Sequence, residues 1–441
     1  MSQISISGTE LRARSAEESV LYDNWITWLK NLALECIRKA HLPIEIGTKY
    51  TAVTYWMGLI LFAMLDQTFE AITDELDDAL WTQTRIHQRI KTYPRKYRGK
   101  YLRYERKYPN ADQLRKYRNT LPEYLLKTLN HFIFECQLEY AESHQLISDT
   151  IELLVDNTAE WYYGKDRYPE NPFITGGYNG PGTNHKRNYL GIMLKSGTTY
   201  LYCGVSMIKK ETSNVPFILE TIDWLILKGY RIQYILGDRW FPTYELLSEL
   251  SVRGVRYIGP YKKWAPIKRI IQDFLETGKE YIIPYAIKGA PTKWYNHSSI
   301  PVWLILTNPR GRRLSEIRQD YLSKKKSLKE CMKEILVMMT TEPPPKGRKA
   351  RQGWAMQICR RYKFRWHIET GFRDLNRIAP TSNARTNRRK FFMNTARYWI
   401  FNCWQLERAK RKKLHRCPKS WRRGPTLRRF RYVMKKVETC L

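Results

Sequence analysis

Negative charge is scarce in this chain. Against 77 Lys and Arg stand only 42 Asp and Glu, a formal net charge of +35 at pH 7. So large an excess calls for a polyanionic partner, nucleic acid or an anionic membrane face, and speaks to association rather than to fold. Long apolar runs are missing too. The longest, residues 50–65, holds 16 uncharged residues and stops at Asp66, short of the roughly 20 that a bilayer-spanning helix requires. It reads as a buried helix, and no membrane partner is expected. Residues 1–19 are polar and carry no apolar signal segment, so export is not expected. The eight cysteines (Cys36, Cys136, Cys203, Cys331, Cys359, Cys403, Cys417, Cys440) include no Cys-x-x-Cys pair and no His at metal-finger spacing. Reduced thiols in a cytoplasmic protein are the expectation.

Apolar material is ample. At 43% hydrophobic and 13% aromatic residues over 441 positions, the chain can build two to four domains and is not a disordered basic tail. Its positive charge is concentrated in two places. Residues 385–436 carry 19 Lys/Arg and one acid, Glu407, and residues 95–118 carry 10 Lys/Arg and two acids. Each segment interleaves rings with the charge: Tyr97, Tyr101, Tyr104 and Tyr108 in the first along the chain, Trp421, Phe430 and Tyr432 in the second. A charge run taken singly is more often a solvated face. Phosphate contacts with ring stacking are nonetheless what a nucleic-acid surface needs, and the tail's Arg422, Arg423, Arg428 and Arg429 are candidate DNA-binding residues.

Hydrophobic periodicity divides the chain. Residues 1–145 show helical spacing and little strand signal, which predicts a helical N-terminal domain. From about 150 the pattern changes to short apolar runs bounded by turn residues, predicting three strands joined by tight turns, with Ser196-Gly197 marking one hairpin. A helix, a strand, a helix and a strand follow as far as residue 261, an α/β order. Residues 262–331 break the rhythm with a helical stretch, two strand-like runs and a basic polar connection, and read as an insertion. The core resumes over 332–385 with a strand, a Pro-rich linker and one long helix from about Trp354 to Asn376, before the basic segment 386–441.

Three acids stand where chemistry is most readily supported. Asp156 and Asp238 each follow an apolar run, placing a carboxylate at a strand end on a rigid support, with Gly237 favouring a close backbone approach at the second. A turn-forming Asp is the commoner role of either one alone. Asp149 and Asp166 lie outside the strand cores and rank lower. On the long helix, Tyr362, Arg365, Glu369 and Asn376 are spaced 3, 4 and 7 apart and would share one face at 3.6 residues per turn.

Taken in order, Asp156, Asp238 and Glu369 on this scaffold, with a strand-containing insertion before the glutamate helix, resemble the DDE transposases of insertion sequences. Tyr362, Arg365 and Glu369 match three positions of the Tyr-Arg-Glu-Lys signature of the insertion sequence four family and its archaeal relatives. Asp238-Arg239-Trp240-Phe241 is similar to that family's Asp-Arg-x-Phe motif. Asn376 stands at the lysine position, and Trp240 where a small residue is usual. The resemblance covers about 150–385. It implies a ribonuclease H-like α/β domain interrupted by an insertion, and three catalytic carboxylates holding two Mg²⁺ or Mn²⁺ ions for in-line phosphodiester displacement. It further implies that Tyr362, Arg365, Arg239, Asn376 and Arg373 contact DNA, with Arg373 or Arg377 able to replace the missing lysine charge. Trp264, Trp294 and Trp303 become candidates to stack on a base flipped from a DNA end, although each is more often core. The partners expected are double-stranded DNA, as terminal inverted repeats and target, and a second copy on paired ends, in a nucleoid-associated setting. A ribonuclease H-like nuclease and a non-catalytic, DNA-binding remnant of a transposase are the alternatives.

Overall fold

The computed structural model describes residues 123–165, 171–177, 180–289, 299–378 and 387–413, and elements are numbered along these. The apolar run at 50–65, the basic stretch at 95–118, Trp294 and the tail arginines Arg422, Arg423, Arg428 and Arg429 lie outside them. The chain forms two compact units, residues 147–372 and residues 1–146 with 373–441.

The 147–372 unit is built on one mixed sheet. Its strands are β1 (Thr150–Trp161), β2 (Ile174–Thr175), β3 (Lys186–Ser196), β4 (Thr199–Ile208), β5 (Arg231–Gly237), β6 (Arg256–Pro260), β7 (Ile282–Lys288), β8 (Ser299–Thr307) and β9 (Leu336–Thr340). They lie in the order β2-β3-β1-β5-β6-β9-β8-β7, with β4 on the outer side of β3. β3 and β4 form a hairpin closed at Ser196 and Thr199, where Gly197 takes the positive φ of 56° that the tight turn demands. β5 pairs parallel with both β1 and β6, whereas β9 returns antiparallel to β6. β1 is central because Ile151, Leu153, Leu154 and Val155 are buried on both faces.

The helices of this unit begin where local chemistry starts them. α1 (Glu123–Ser143) belongs to the other unit; in α2 (Val215–Leu227) the apolar spacing sets the buried side, and a proline sits in the first turn. The Thr243 hydroxyl caps α3 (Tyr244–Val252) by accepting from Leu246 N at 3.2 Å. α4 (Ala265–Thr277) stops at Gly278, in the left-handed conformation.

Four features differ from the sequence expectations. The link from the first to the second long strand is no tight turn: residues 162–185 intervene, with β2 among them. The strand holding Asp156 does not end there but continues to Trp161 along β3. The segment read as a polar connection folds into α5 (Leu314–Leu322) and α6 (Leu328–Glu334). Ser327 and Glu330 close a capping box on α6, and Arg312 and Lys326 tie Asp320 and Glu334 together. The predicted long helix is broken, with α7 (Arg348–Tyr362) and α8 (Trp366–Ile378) joined by a 3₁₀ turn at Lys363–Arg365. β7 and β8, from the segment read as an insertion, extend the same sheet through β9.

In the other unit, α1 packs against α9 (Asn387–Lys413). Its buried Gln137 side chain donates to the Trp399 carbonyl at 2.9 Å and accepts from Asn402 at 2.8 Å, so that a polar group between two apolar faces is satisfied. Among the described residues no helix is long and apolar enough to cross a membrane.

Candidate active site

β1 and β5 run parallel, and their last paired residues are Val155 and Gly237. Asp156 and Asp238 are the next residues on the two chains, so adjacent strands deliver both carboxylates to one edge of the sheet. Ligand sites in open α/β sheets favour this edge, outside the carboxyl ends of parallel strands. Beneath Asp238, the buried Tyr257 donates its hydroxyl to the Asp238 carbonyl at 3.1 Å. A Cβ on Gly237 would come within 2.7 Å of that hydroxyl, and this is why the strand ends in glycine. Sequence reading missed Tyr257, whose run Val255–Pro260 looks like any buried strand.

The third acid arrives on the helix. α8 lies close to the sheet because Gly371 meets the Tyr202 hydroxyl and Phe372 meets Gly191, the residue opposite Asp156 on β3. The 3₁₀ turn stacks residues three apart. Accordingly Arg365 Nε donates to the Tyr362 hydroxyl at 2.7 Å, Nη1 donates to Asp156 Oδ2 at 2.8 Å, and Nη2 donates to Glu369 Oε1. One guanidinium therefore joins the first and third acids. Asp156 also accepts from Asn157 N at 2.9 Å, and Asp238 from Arg239 N at 2.7 Å.

The electrostatics register all three acids together. Burial pushes the Asp156 carboxyl up to about 6; Arg365 opposes the rise, while the charges of Asp238 and Glu369 add to it. Burial likewise pushes the Tyr362 hydroxyl up to about 12, keeping it a neutral donor. Burial works against the charge of Arg365, but Tyr362, Asp156, Glu369 and Asp238 outweigh it and raise its pKa. Among the described residues no three His, Cys, Asp or Glu side chains form a ready metal-binding group. The Arg365 guanidinium holds the place between Asp156 and Glu369.

Residues 175–403, just over half of the chain, match the transposase DDE domain family. The chain belongs to that family. Asp238, Tyr362, Arg365 and Glu369 of this DDE-family transposase lie inside the matched region, and Asp156 precedes it. A comparison with curated proteins finds no match. Among solved structures, the cryo-EM structure of the piggyBac transposase synaptic complex with hairpin DNA is similar at 10% identity and a TM-score of 0.43, covering 92% of this chain and 75% of that one. That likeness is too distant to argue from.

The remaining candidates lie on several elements. Arg239 is exposed beside Asp238. Arg373 and Asn376 are exposed on the half of α8 that belongs with the other unit. Trp303 is half-buried in β8, and Trp264 is 55% exposed ahead of α4. The transposase also has a rim of which sequence reading anticipated only Trp264: Trp240 is 65% exposed, with the Lys262 ammonium 3.6 Å from its ring centre and 5.4 Å from that of Trp264. For Trp240 the only signal in the sequence was its odd place in the Asp-Arg-x-Phe motif.

Proposed function

We propose that this transposase cuts DNA at the ends of a mobile element and joins the freed 3′ ends to target DNA, with Asp156, Asp238 and Glu369 as its catalytic acids. The observation that carries this reading is the Arg365 guanidinium shared by Asp156 and Glu369, beside the parallel register that sets Asp238 next to Asp156. A set of carboxylate oxygens with more negative than positive charge suits hard divalent cations. Two Mg²⁺ or Mn²⁺ ions held by Asp156, Asp238 and Glu369 would supply activation of the attacking oxygen and stabilisation of the leaving one.

The protein's own groups have the remaining tasks. Arg365, carried on the helix by a turn that also fixes Tyr362, would hold a DNA phosphate against the acids, with the neutral Tyr362 hydroxyl as a second donor. Arg239, Arg373 and Asn376 would bind the backbone farther out, Asn376 donating a hydrogen bond without the charge of a lysine. The exposed rings of Trp240 and Trp264 suit stacking on unpaired bases near the cut. The strand order β4-β3-β1-β5-β6, with the acids on its central parallel pair and on a following helix, supports a ribonuclease H-like core of the insertion sequence four kind. In this reading residues 1–145 and 386–441 bind DNA, residues 146–261 and 332–385 form the core, and residues 262–331 are the insertion. Two copies would act on paired ends.

The test is cleavage of a labelled terminal-repeat duplex with Mg²⁺ or Mn²⁺, run beside a binding assay. Metal-dependent nicking and strand joining are expected. Binding without cleavage would instead establish the DNA-binding remnant, and nicking that never yields joined products the nuclease.

A further inference from the structure

The segment that carries Tyr362, Arg365 and Glu369 has a second set of residues, Arg361, Phe364 and His367, three apart. Each is gripped by a different strand. Arg361 Nη1 lies 3.1 Å from Glu152 on β1, an ion pair whose angle falls short of a hydrogen bond, and its guanidinium lies over the Tyr234 ring of β5 at 4.1 Å. Lys195 of β3 places its ammonium 4.2 Å from the centre of the Phe364 ring. Tyr200 of β4 stacks on His367 at 4.0 Å.

The gripping residues form one row across five strands. Tyr200 is opposite Lys195, Lys195 opposite Glu152, Glu152 opposite Tyr234, and Tyr234 opposite Arg256. The row is bound along its length. Lys195 Nζ donates to Glu152 at 2.8 Å, Tyr234 donates its hydroxyl to Glu342 at 2.5 Å, and Arg256 pairs with Glu342 at 3.5 Å. Glu152 and Asp156 lie on the same face of β1, about 13 Å apart at 3.3 Å per residue. Arg361 and Arg365 are only about 6–8 Å apart along a helical rise, so their side chains splay, one toward each acid. Two anchor points on one strand stop the segment sliding along it.

We infer that Arg361 is a positioning residue of the active site: paired with Glu152, it sets where the 362–369 segment lies on the sheet, and hence where Arg365 and Glu369 meet Asp156. Its bearing on cleavage rests on the catalytic reading above. Its bearing on structure does not.

Arg361→Gln in the full chain is the probing variant, because it leaves the Lys195–Glu152 pair intact. Hydrogen exchange of the amides at 362–369 should rise by about tenfold or more, while the amides of β1 and β5 stay protected. Unchanged exchange at 362–369 overturns the inference whatever the protein does to DNA. On terminal-repeat DNA the variant should cleave about 100-fold more slowly at saturating substrate, the scale expected for a misplacement near 1 Å, with unchanged half-saturation. Arg361→Lys, which keeps a cation for Glu152, should recover most of that rate. A wild-type rate in Arg361→Gln, or no recovery in Arg361→Lys, overturns the positioning role. A wild type that cleaves nothing defeats the catalytic reading instead and leaves the exchange result to decide the structural claim.

Discussion

Two carboxylates four residues apart on one face of β1 live under opposite charge balances. Glu152 has two cations to itself, Lys195 at 2.8 Å and Arg361 at 3.1 Å. Asp156 shares one arginine with Glu369 and feels the charge of Asp238 as well. Both side chains are largely buried, 11% and 14% exposed, so burial does not separate them. Charge balance does. Where cations match or exceed acids, the group is wired into the fold; where three acids face one guanidinium, the imbalance is what the proposed metal-holding role rests on.

The largest effect should come from disturbing this charge balance at Asp156. Asp156→Asn, Asp238→Asn or Glu369→Gln should each lower metal-dependent cleavage by on the order of 10³-fold or more, since several kcal/mol of transition-state stabilisation are removed. Chelation of divalent ions should do the same to the wild type. DNA affinity in a filter or anisotropy assay should hold or tighten, because an acid beside phosphates is lost. Full activity in any one variant would remove that residue from the site.

Breaking it at Glu152 should give the reverse pattern. Glu152→Ala leaves Lys195 and Arg361 without their acid, a change that costs about 3 kcal/mol where an ion pair is mostly buried. The denaturant midpoint should fall at unchanged slope. A variant as stable as the wild type would mean that the row across the sheet is not structural.

How far the sequence carries this contrast depends on range. Asp238 was legible because an apolar run, a glycine and an Asp-Arg-x-Phe motif are all local. The helices on either side of β5 were legible for the same reason, as were the strands that follow them. The 3₁₀ turn was not: helical spacing runs through residues 354–376, and what breaks it is tertiary, the demand of Lys195 on Phe364 and of Asp156 on Arg365. Glu152 was read only as part of an apolar run, since its partners lie 43 and 209 positions away. In α6 the signal was local but masked, a Ser327-x-x-Glu330 capping box behind the run Lys324–Lys326.

Smaller losses are expected at the rim that carries Trp240 and Trp264. Trp240→Ala and Trp264→Ala should each weaken binding of a single-stranded oligonucleotide by about 1–3 kcal/mol, roughly 5- to 150-fold, if each ring stacks on one base. Duplex binding, governed by phosphate contacts, should change less and keep its salt slope. Equal losses on both substrates would make these rings general packing rather than base contacts.

The smallest effect is expected where acid and cation are matched in the open. Asp223 on α2 accepts from Arg253 Nε at 2.6 Å and from Nη2 at 2.9 Å, but its side chain is 47% exposed. The hydrogen bonds from Arg253 hold its carboxyl below the ordinary range, with burial opposing them. A depressed folded value means stabilisation that is fully present above the unfolded carboxylate pKa of about 3.9 and disappears as pH falls through the folded value. Solvent screening limits that contribution to under about 1 kcal/mol. Asp223→Asn should therefore cost only this much, evenly from pH 8 to pH 5, and the difference from wild type should close as pH falls below the ordinary carboxylate range. Unfolding curves across that range measure it. Cleavage should be untouched, since neither partner faces the three acids. A loss approaching that of Glu152→Ala would show that exposure, as much as charge balance, had been misjudged in separating the carboxylates that hold this fold from those left for chemistry.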